Sequence, residues 1–304
     1  MGQDTANITN SGVSTLGDTP SQSVGKIDDA QSDVESSGLA SVISVPDPGS
    51  WLQIRHAKRF EWTQAQLPIP DLPADLDGIR LLHLSDLHIR NSWSPAYDQL
   101  VQRVEQSPPD LILFTGDFIE YKHDFRGALP VIRRLVERLK ARLGFVSILG
   151  NHDGDLLSLP LRAMGITVLN HQCLRVAAAT ASLEILGLVG IDRLDLNMHW
   201  MRSIGPKPPQ TVRIVLSHFP DLIRPSVALK PDLFLAGHTH GGQICLPGRI
   251  PIIRHDSLPR KFWLGIHRAH GTWLVVNRGM GFSTALQLRL FCPAEVIEIR
   301  LRRA

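Results

Sequence analysis

The tightest constraint on the fold of this chain is a local pattern that recurs along it: a short apolar run stops abruptly at a polar cluster. Residues 79–84 run into Ser85-Asp86-Leu87-His88, residues 111–114 into Thr115-Gly116-Asp117, and residues 145–149 into Gly150-Asn151-His152-Asp153. Residues 214–216 stop at Ser217-His218, and residues 233–236 stop at Gly237-His238-Thr239-His240-Gly241-Gly242-Gln243. Runs of this length, bounded by Gly, Pro or Asp, read as buried strands. Helices are predicted between the first three. One covers residues 95–105, with Ser94 as N-cap and Pro95 in the first turn. The other covers residues 128–143, where Leu129, Ile132, Leu135, Val136 and Leu139 share one face. Further strands are predicted at residues 167–176, 183–189, 242–246, 273–277 and 295–301, with fewer helices between them. This order implies an α/β (α+β) protein, a four-layer α/β/β/α sandwich of two mixed sheets flanked by helices.

Composition separates that body from what precedes it. Residues 1–50 hold seven acids against one base and lack Phe, Tyr and Trp, whereas residues 51–304 hold 31 bases against 22 acids. The first stretch cannot bury enough apolar surface to offset its ordering entropy and is expected to be a disordered acidic extension; residues 51–304 are the expected catalytic body. The basic balance of that body favours anionic substrates or surfaces. Three widely spaced cysteines, Cys173, Cys245 and Cys292, form no C-x-x-C pair, which argues against a disulfide scaffold. Neither an export signal nor an apolar run long enough to span a bilayer is visible, so a cytoplasmic protein, or one peripheral to a membrane, is expected.

The polar clusters gain meaning from their placement. On extended backbone, residues two apart point the same way, so Asp86 and His88 can grip one ion. A Gly-Asp pair alone carries no signal, since Gly17-Asp18 and Gly154-Asp155 also occur; what distinguishes Gly116-Asp117 is the strand before it. Asn170-His171 lacks the preceding Gly and the trailing Asp of the Asn151 cluster and reads as structural. Glycines around His238-Thr239-His240 let the backbone bend close to a ligand. Together the strand ends present Asp86, His88, Asp117, Asn151, His218, His238 and His240, enough donors for two cations sharing one carboxylate. Ligands gather beyond the carboxyl ends of strands in sheets of this kind. Imidazole and carboxylate mixed with one amide oxygen suit Mn, Fe, Zn or Ni better than calcium.

The ordered set D-x-H, G-D, G-N-H-D, H and G-H-x-H resembles the calcineurin-like metallophosphoesterase superfamily, from about Trp51 to the C-terminus. The resemblance implies two divalent metal ions, one held by Asp86, His88, Asp117 and His240, the other by Asp117, Asn151, His218 and His238. It also implies a catalytic His152 oriented by Asp153. Where many members carry G-D-x-x-D, this chain has Gly116-Asp117-Phe118-Ile119-Glu120. Residues 82–88, the Gly-Gly-Gln after His240, Asn277-Arg278-Gly279-Met280-Gly281 and residues 289–296 look like the bacterial phosphodiesterase branch. That branch includes membrane-associated phosphodiesterases and pyrophosphohydrolases of UDP-diacylglucosamine in lipid A synthesis.

The function so implied is hydrolysis of a phosphodiester or pyrophosphate bond in a small anionic phosphoester, lipid-linked or nucleotide-linked, by in-line attack of a metal-bridging hydroxide. Arg260 and Lys261, in a stretch that mixes cations with Ile252, Ile253, Phe262 and Trp263, are the candidate substrate-binding residues, and the same stretch offers a peripheral membrane contact. Rival readings are a nuclease or phosphoprotein phosphatase on the same core, and a binding scaffold without catalysis. No nucleic-acid module is visible, and every ligand position is filled.

Overall fold

The short apolar runs become the central strands of two sheets. The computed structural model describes residues 41–45, 51–122, 124–190, 193–253, 257–283 and 287–304. The first sheet orders its strands as β1 (Ser41–Val45), β3 (Glu61–Ile69), β17 (Glu295–Arg303), β4 (Arg80–Leu84), β5 (Leu111–Phe114), β6 (Phe145–Ser147) and β7 (Thr167–Val168). β4 to β7 run parallel, while β17 lies antiparallel to β4 and parallel to β3. The second sheet runs β14 (Gly265–Ala269), β15 (Thr272–Val276), β11 (Leu233–Ala236), β10 (Thr211–Leu216), β9 (Ala181–Gly187) and β8 (Gln172–Ala178), with antiparallel strands at its two edges. Two small ribbons pair β2 (Leu52–Ile54) with β16 (Leu288–Leu290), and β12 (Cys245–Leu246) with β13 (Ile250–Pro251).

Strand periodicity sends alternate residues into different layers. Leu81, Leu113 and Ile297 of the first sheet meet Ile185, Ile214, Leu235 and Val275 of the second in a shared core. Leu82, Ile112 and Phe114 point outward onto α1 (Pro95–Gln106) and α2 (Leu129–Arg138), through Leu100, Val104, Ile132 and Leu135. On the opposite outer face Leu186, Val215, Phe234 and Val276 pack against Met201 of α4 (Leu194–Ser203) and Ile223 of α5 (Ile223–Ser226). A further short helix, α3 (Ser158–Ala163), adds Leu161 to the first outer layer. The result is the expected arrangement of two mixed sheets between helices.

Several boundaries differ from expectation. The strand predicted at 167–176 is two strands in two sheets, broken where His171 adopts φ 47°. The 128–143 helix stops at Arg138, because Leu139 is already extended and the chain turns back into β6. Residues 242–246 hold a tight turn followed by only two extended residues. Strand β1 falls within the stretch read as a disordered extension and pairs with β3; residues 1–40 and 46–50 of that stretch lie outside the described residues. Strand β3 escaped prediction because Gln64, Gln66 and Pro68 break up the apolar run along the chain, although Ala65, Leu67 and Ile69 alternate into the core.

Candidate metal centre

The polar clusters converge because their strands are parallel neighbours. β4, β5 and β6 deliver Asp86 and His88, Asp117, and Asn151 and His152 at one end of the first sheet; β10 and β11 deliver His218, His238 and His240 from the second. Adjacent strand ends are tied together: the Asp86 N–H donates to Gly116 O (2.9 Å), His88 N–H to Asp117 O (3.1 Å), and Gly237 N–H to His218 O (3.1 Å). Asp86, His88, Asp117, His238 and His240 all adopt left-handed backbone, with φ between 46° and 67°. Such non-glycine conformations cost about 1–3 kcal/mol each and persist where the surroundings enforce them. Gly237 is one enforcer: a Cβ there would collide with Ser85 Oγ and Asp86 Oδ2. Gly150 is another, since its Cβ would strike the Asp117 carboxylate.

Donor atoms of Asp86, His88 and His240 lie within 4.8 Å of one another, as do those of Asp86, Asp117 and His218. His88 Nε2 is 3.0 Å from His240 Nε2 and 3.5 Å from Asp117 Oδ2, and His240 Nε2 is 3.5 Å from Asp86 Oδ1. Asn151 Oδ1 and His238 Nδ1 meet at 3.1 Å on the solvent side, and the His238 ring stands 5.1 Å from that of His218. All seven expected ligands therefore share one cleft.

The donor set fits a cation. His218 Nδ1–H donates to Thr115 O (2.7 Å), which leaves a lone pair on Nε2; that buried atom has no hydrogen-bond partner yet lies 3.2 Å from Asp117 Oδ2, another acceptor. Two buried acceptors facing each other are stabilised by a positive ion between them. A proton can take that place: although burial opposes the charged form, Asp117 and Asp86 draw His218 up to about 9. Burial pushes Asp86 up, whereas at Asp117 the surrounding histidines, His218 first, outweigh burial and hold the carboxyl below its usual range. A metal ion entering here at neutral pH must displace a proton.

The supporting residues depart from expectation in one respect. Asp153 does not orient His152: its buried carboxylate accepts from the backbone N–H of Asp117 (2.7 Å), Gly150 (2.8 Å) and Ile119 (3.2 Å), fixing the loops instead. Burial and the nearby Asp117 push this carboxyl up to about 7. The His152 ring is set by Glu120, whose carbonyl oxygen accepts from Nδ1 at 2.9 Å. The Glu120 side chain reaches the other way, with Oε2 2.7 Å from His88 Nδ1, so one residue fixes two imidazoles. Its place three residues after Asp117 was a usable signal. Arg289, fully buried, was not foreseen: it donates to Gly281 O (2.7 Å) and Arg278 O (2.6 Å) and lies 3.1 Å from His240 Nδ1. Cys245 and Cys292 are free thiols that donate to Gly241 O and His240 O, bracing the same loop.

The basic stretch after the second histidine is mostly structural. Arg249 pairs with Glu61 (2.6 Å), Arg268 covers Trp273, and Trp263 is buried; Arg254 lies outside the described residues. Arg260 and Lys261 are exposed on a tight turn that Thr239 Oγ1 ties to the metal loop by donating to Trp263 O (2.5 Å).

Comparison with known proteins agrees with this geometry. The profile of the calcineurin-like phosphoesterases matches residues 79–242. YkuE of Bacillus subtilis, an uncharacterized metallophosphoesterase, is 30% identical over 255 residues, covering 80% of this chain and 86% of its own length. Phosphodiesterase YaeI of Escherichia coli is 29% identical, covering 84% of this chain and 90% of its own. The UDP-2,3-diacylglucosamine pyrophosphatase LpxG of Chlamydia muridarum is 25% identical, covering 86% and 95%. With its strand-end carboxylates and imidazoles gathered in one cleft, the chain belongs to the calcineurin-like phosphoesterase family and is a phosphoester hydrolase.

Proposed function

We propose that residues 51–304 hydrolyse a phosphodiester or pyrophosphate bond in a small anionic substrate with a lipid or nucleotide attached, using two divalent ions drawn from Mn, Fe, Zn and Ni. The observation that carries this reading is the buried cleft where Asp86, Asp117, His88, His218 and His240 oppose their acceptor atoms. Ions held there would lower the pKa of water toward neutrality and neutralise phosphoryl oxygens. Asp86, His88 and His240 would hold one, His218, Asn151 and His238 the other, and Asp117 would contribute to both. His152, its Nδ1–H fixed by Glu120 O, keeps Nε2 to hold or pass a proton at the leaving oxygen. Its ring stands 4.7 Å from that of His88, above the donors. Exposed Arg260 and Lys261 attract the anion over longer range.

A peripheral membrane contact, from the cytoplasmic side, is part of the same proposal. No helix among the described residues is long and apolar enough to cross a membrane. Support for surface contact comes from the β12–β13 ribbon, where Leu246 and Ile250 pair across the strands and are about half exposed, next to exposed Ile252. The test is hydrolysis of bis(4-nitrophenyl) phosphate by metal-loaded protein, beside single-stranded DNA and a phosphopeptide. The reading predicts chelator-sensitive turnover of the diester above the other two. Faster cleavage of DNA or peptide would replace it with a rival, and no turnover of any substrate would overturn it.

A further inference from the structure

Beside the metal centre, against Leu87 and His88, lies a cavity of about 340 Å³. A second cavity, about 390 Å³, meets Asp71, Leu72 and Gln210 at the opposite strand ends and touches none of the centre's residues. The cavity near the centre has Arg55, His56 and Arg90 at its polar side and Trp93, Tyr97 and Phe282 among its apolar walls; among the described residues no Asp or Glu lines it. His88 itself forms part of the lining.

Part of its lining, Arg90 and Trp93, is held in place before any ligand arrives. Arg55 sits in left-handed backbone at φ 67°, with its N–H donating to Gln287 O at 2.8 Å. Among the described residues the Arg55 guanidinium has neither an ion-pair nor a hydrogen-bond partner. With its amide oxygen turned toward Arg90, Gln287 accepts from both terminal nitrogens at 2.5 and 2.6 Å. The carboxylate nearest Arg90 is Glu120, at 3.4 Å, and that same carboxylate already faces His88 Nδ1. Glu120 thus faces both groups, and Arg55 adds a cation with no carboxylate partner among the described residues. Trp93 is pinned from three sides: Nε1–H donates to Asp98 (2.9 Å), Arg134 stacks 3.9 Å over the ring, and Tyr97 meets its edge at 5.4 Å. An exposed Arg55 guanidinium free to turn toward a ligand, and an Arg90 guanidinium tied to Gln287, beside a fixed aromatic wall suit a planar or apolar group carrying a phosphate-type oxyanion.

The geometry points to a second anion subsite in this cavity, in which Arg55 and Arg90 bind a phosphoryl oxyanion and Trp93 and Phe282 pack against its ring or apolar substituent. This deepens the hydrolase reading and rests on it: the substrate class becomes a phosphoester whose leaving portion bears another phosphate, as in a pyrophosphate, or else free phosphate occupies the same place. Arg90 and Glu120 link the subsite to His88, so an anion there lies one carboxylate away from a candidate metal ligand.

The test is calorimetric titration of the metal-loaded full chain with phenylphosphonate and methylphosphonate, which cannot be hydrolysed at a P–O ester bond. Two phenylphosphonate sites per chain are expected. Arg55→Glu is expected to retain only the metal-centre site, and Trp93→Ala to remove at least a tenfold preference for phenyl over methyl at the cavity. A single site in the wild type, or unchanged binding in Arg55→Glu, overturns the subsite. Turnover of bis(4-nitrophenyl) phosphate, followed in parallel, reports on the hydrolase reading separately. If Arg55→Glu raises KM for diphenyl pyrophosphate at least tenfold more than for the single-phosphate diester, the anion is part of the substrate; equal changes assign the site to free phosphate.

Discussion

Replacing Glu120 with glutamine removes one charge behind the metal centre while keeping the outline of the side chain. Glu120 Oε2 lies 2.7 Å from His88 Nδ1, with side-chain exposures of 0% and 1%, so solvent does not screen the pair. Burial works against the charge on both groups, yet their mutual attraction holds Glu120 below its usual range and lifts His88 above it. Loss of a carboxylate behind a ligating histidine costs about 10–100-fold in metal affinity or activity, which is about 1.4–2.8 kcal/mol. The contact of Glu120 with Arg90, at 3.4 Å and with the arginine a third exposed, adds less. Glu120→Gln is therefore expected to weaken Mn²⁺ binding 10- to 100-fold in a calorimetric titration. The His152 ring should keep its orientation, because the Glu120 backbone carbonyl remains. Metal affinity within twofold of wild type, in a variant with an unaltered circular dichroism spectrum, would refute the positioning role.

Three further expectations follow from other parts of the site. His152→Ala should retain its metal content by mass spectrometry and lose about 10² or more in kcat; an unchanged kcat would make the imidazole structural. Gly237→Ala drives a methyl group into Ser85 and Asp86, so metal affinity should fall at least tenfold, and wild-type affinity would contradict the close packing described. Burial holds His83 down to about 3 against an ordinary 6.5, while its Nε2 lies 2.9 Å from Thr115 Oγ1. Below pH 6.5 the unfolded chain gains a proton that the folded one excludes, so stability should decline from pH 6.5 toward 3. Urea midpoints at pH 7 and pH 5 should differ less in His83→Gln than in wild type, and an equal difference would show that His83 does not drive the decline.

The strand ends were legible because two signals coincide there. A short buried strand and a polar cluster each occur by chance, but Asp86, Asp117, Asn151, His218 and His240 all follow such strands. What the sequence hides is direction. Asp153 follows His152 and was expected to serve it, yet the loop aims its carboxylate at three backbone donors. Glu120 does two positioning jobs because its carbonyl and carboxylate face opposite ways, which residue identity cannot reveal. Arg278 and Arg289 stand in the sequence only as motif residues, with no sign of burial. In the structure Arg278 is buried against Glu61 (2.7 Å) and Glu295 (2.9 Å), and Arg289 is wrapped in carbonyl oxygens. Arg55 and Arg90 lie in separate stretches and meet only through the fold, whereas the adjacent Arg260 and Lys261 drew attention by proximity alone. Strand β3 was missed for a related reason: its glutamines are exposed every second residue, and Pro68 follows close behind.

The central claim is that Asp117 serves two ions at once, and metal stoichiometry measured together with turnover tests it most directly. The wild-type chain, reconstituted and freed of excess ion, should hold two divalent ions by mass spectrometry and hydrolyse bis(4-nitrophenyl) phosphate in proportion to that content. Asp117→Ala should lose both the ions and the activity. A metal-free wild-type protein that turns over the diester, or an Asp117→Ala protein with full activity, would contradict the account.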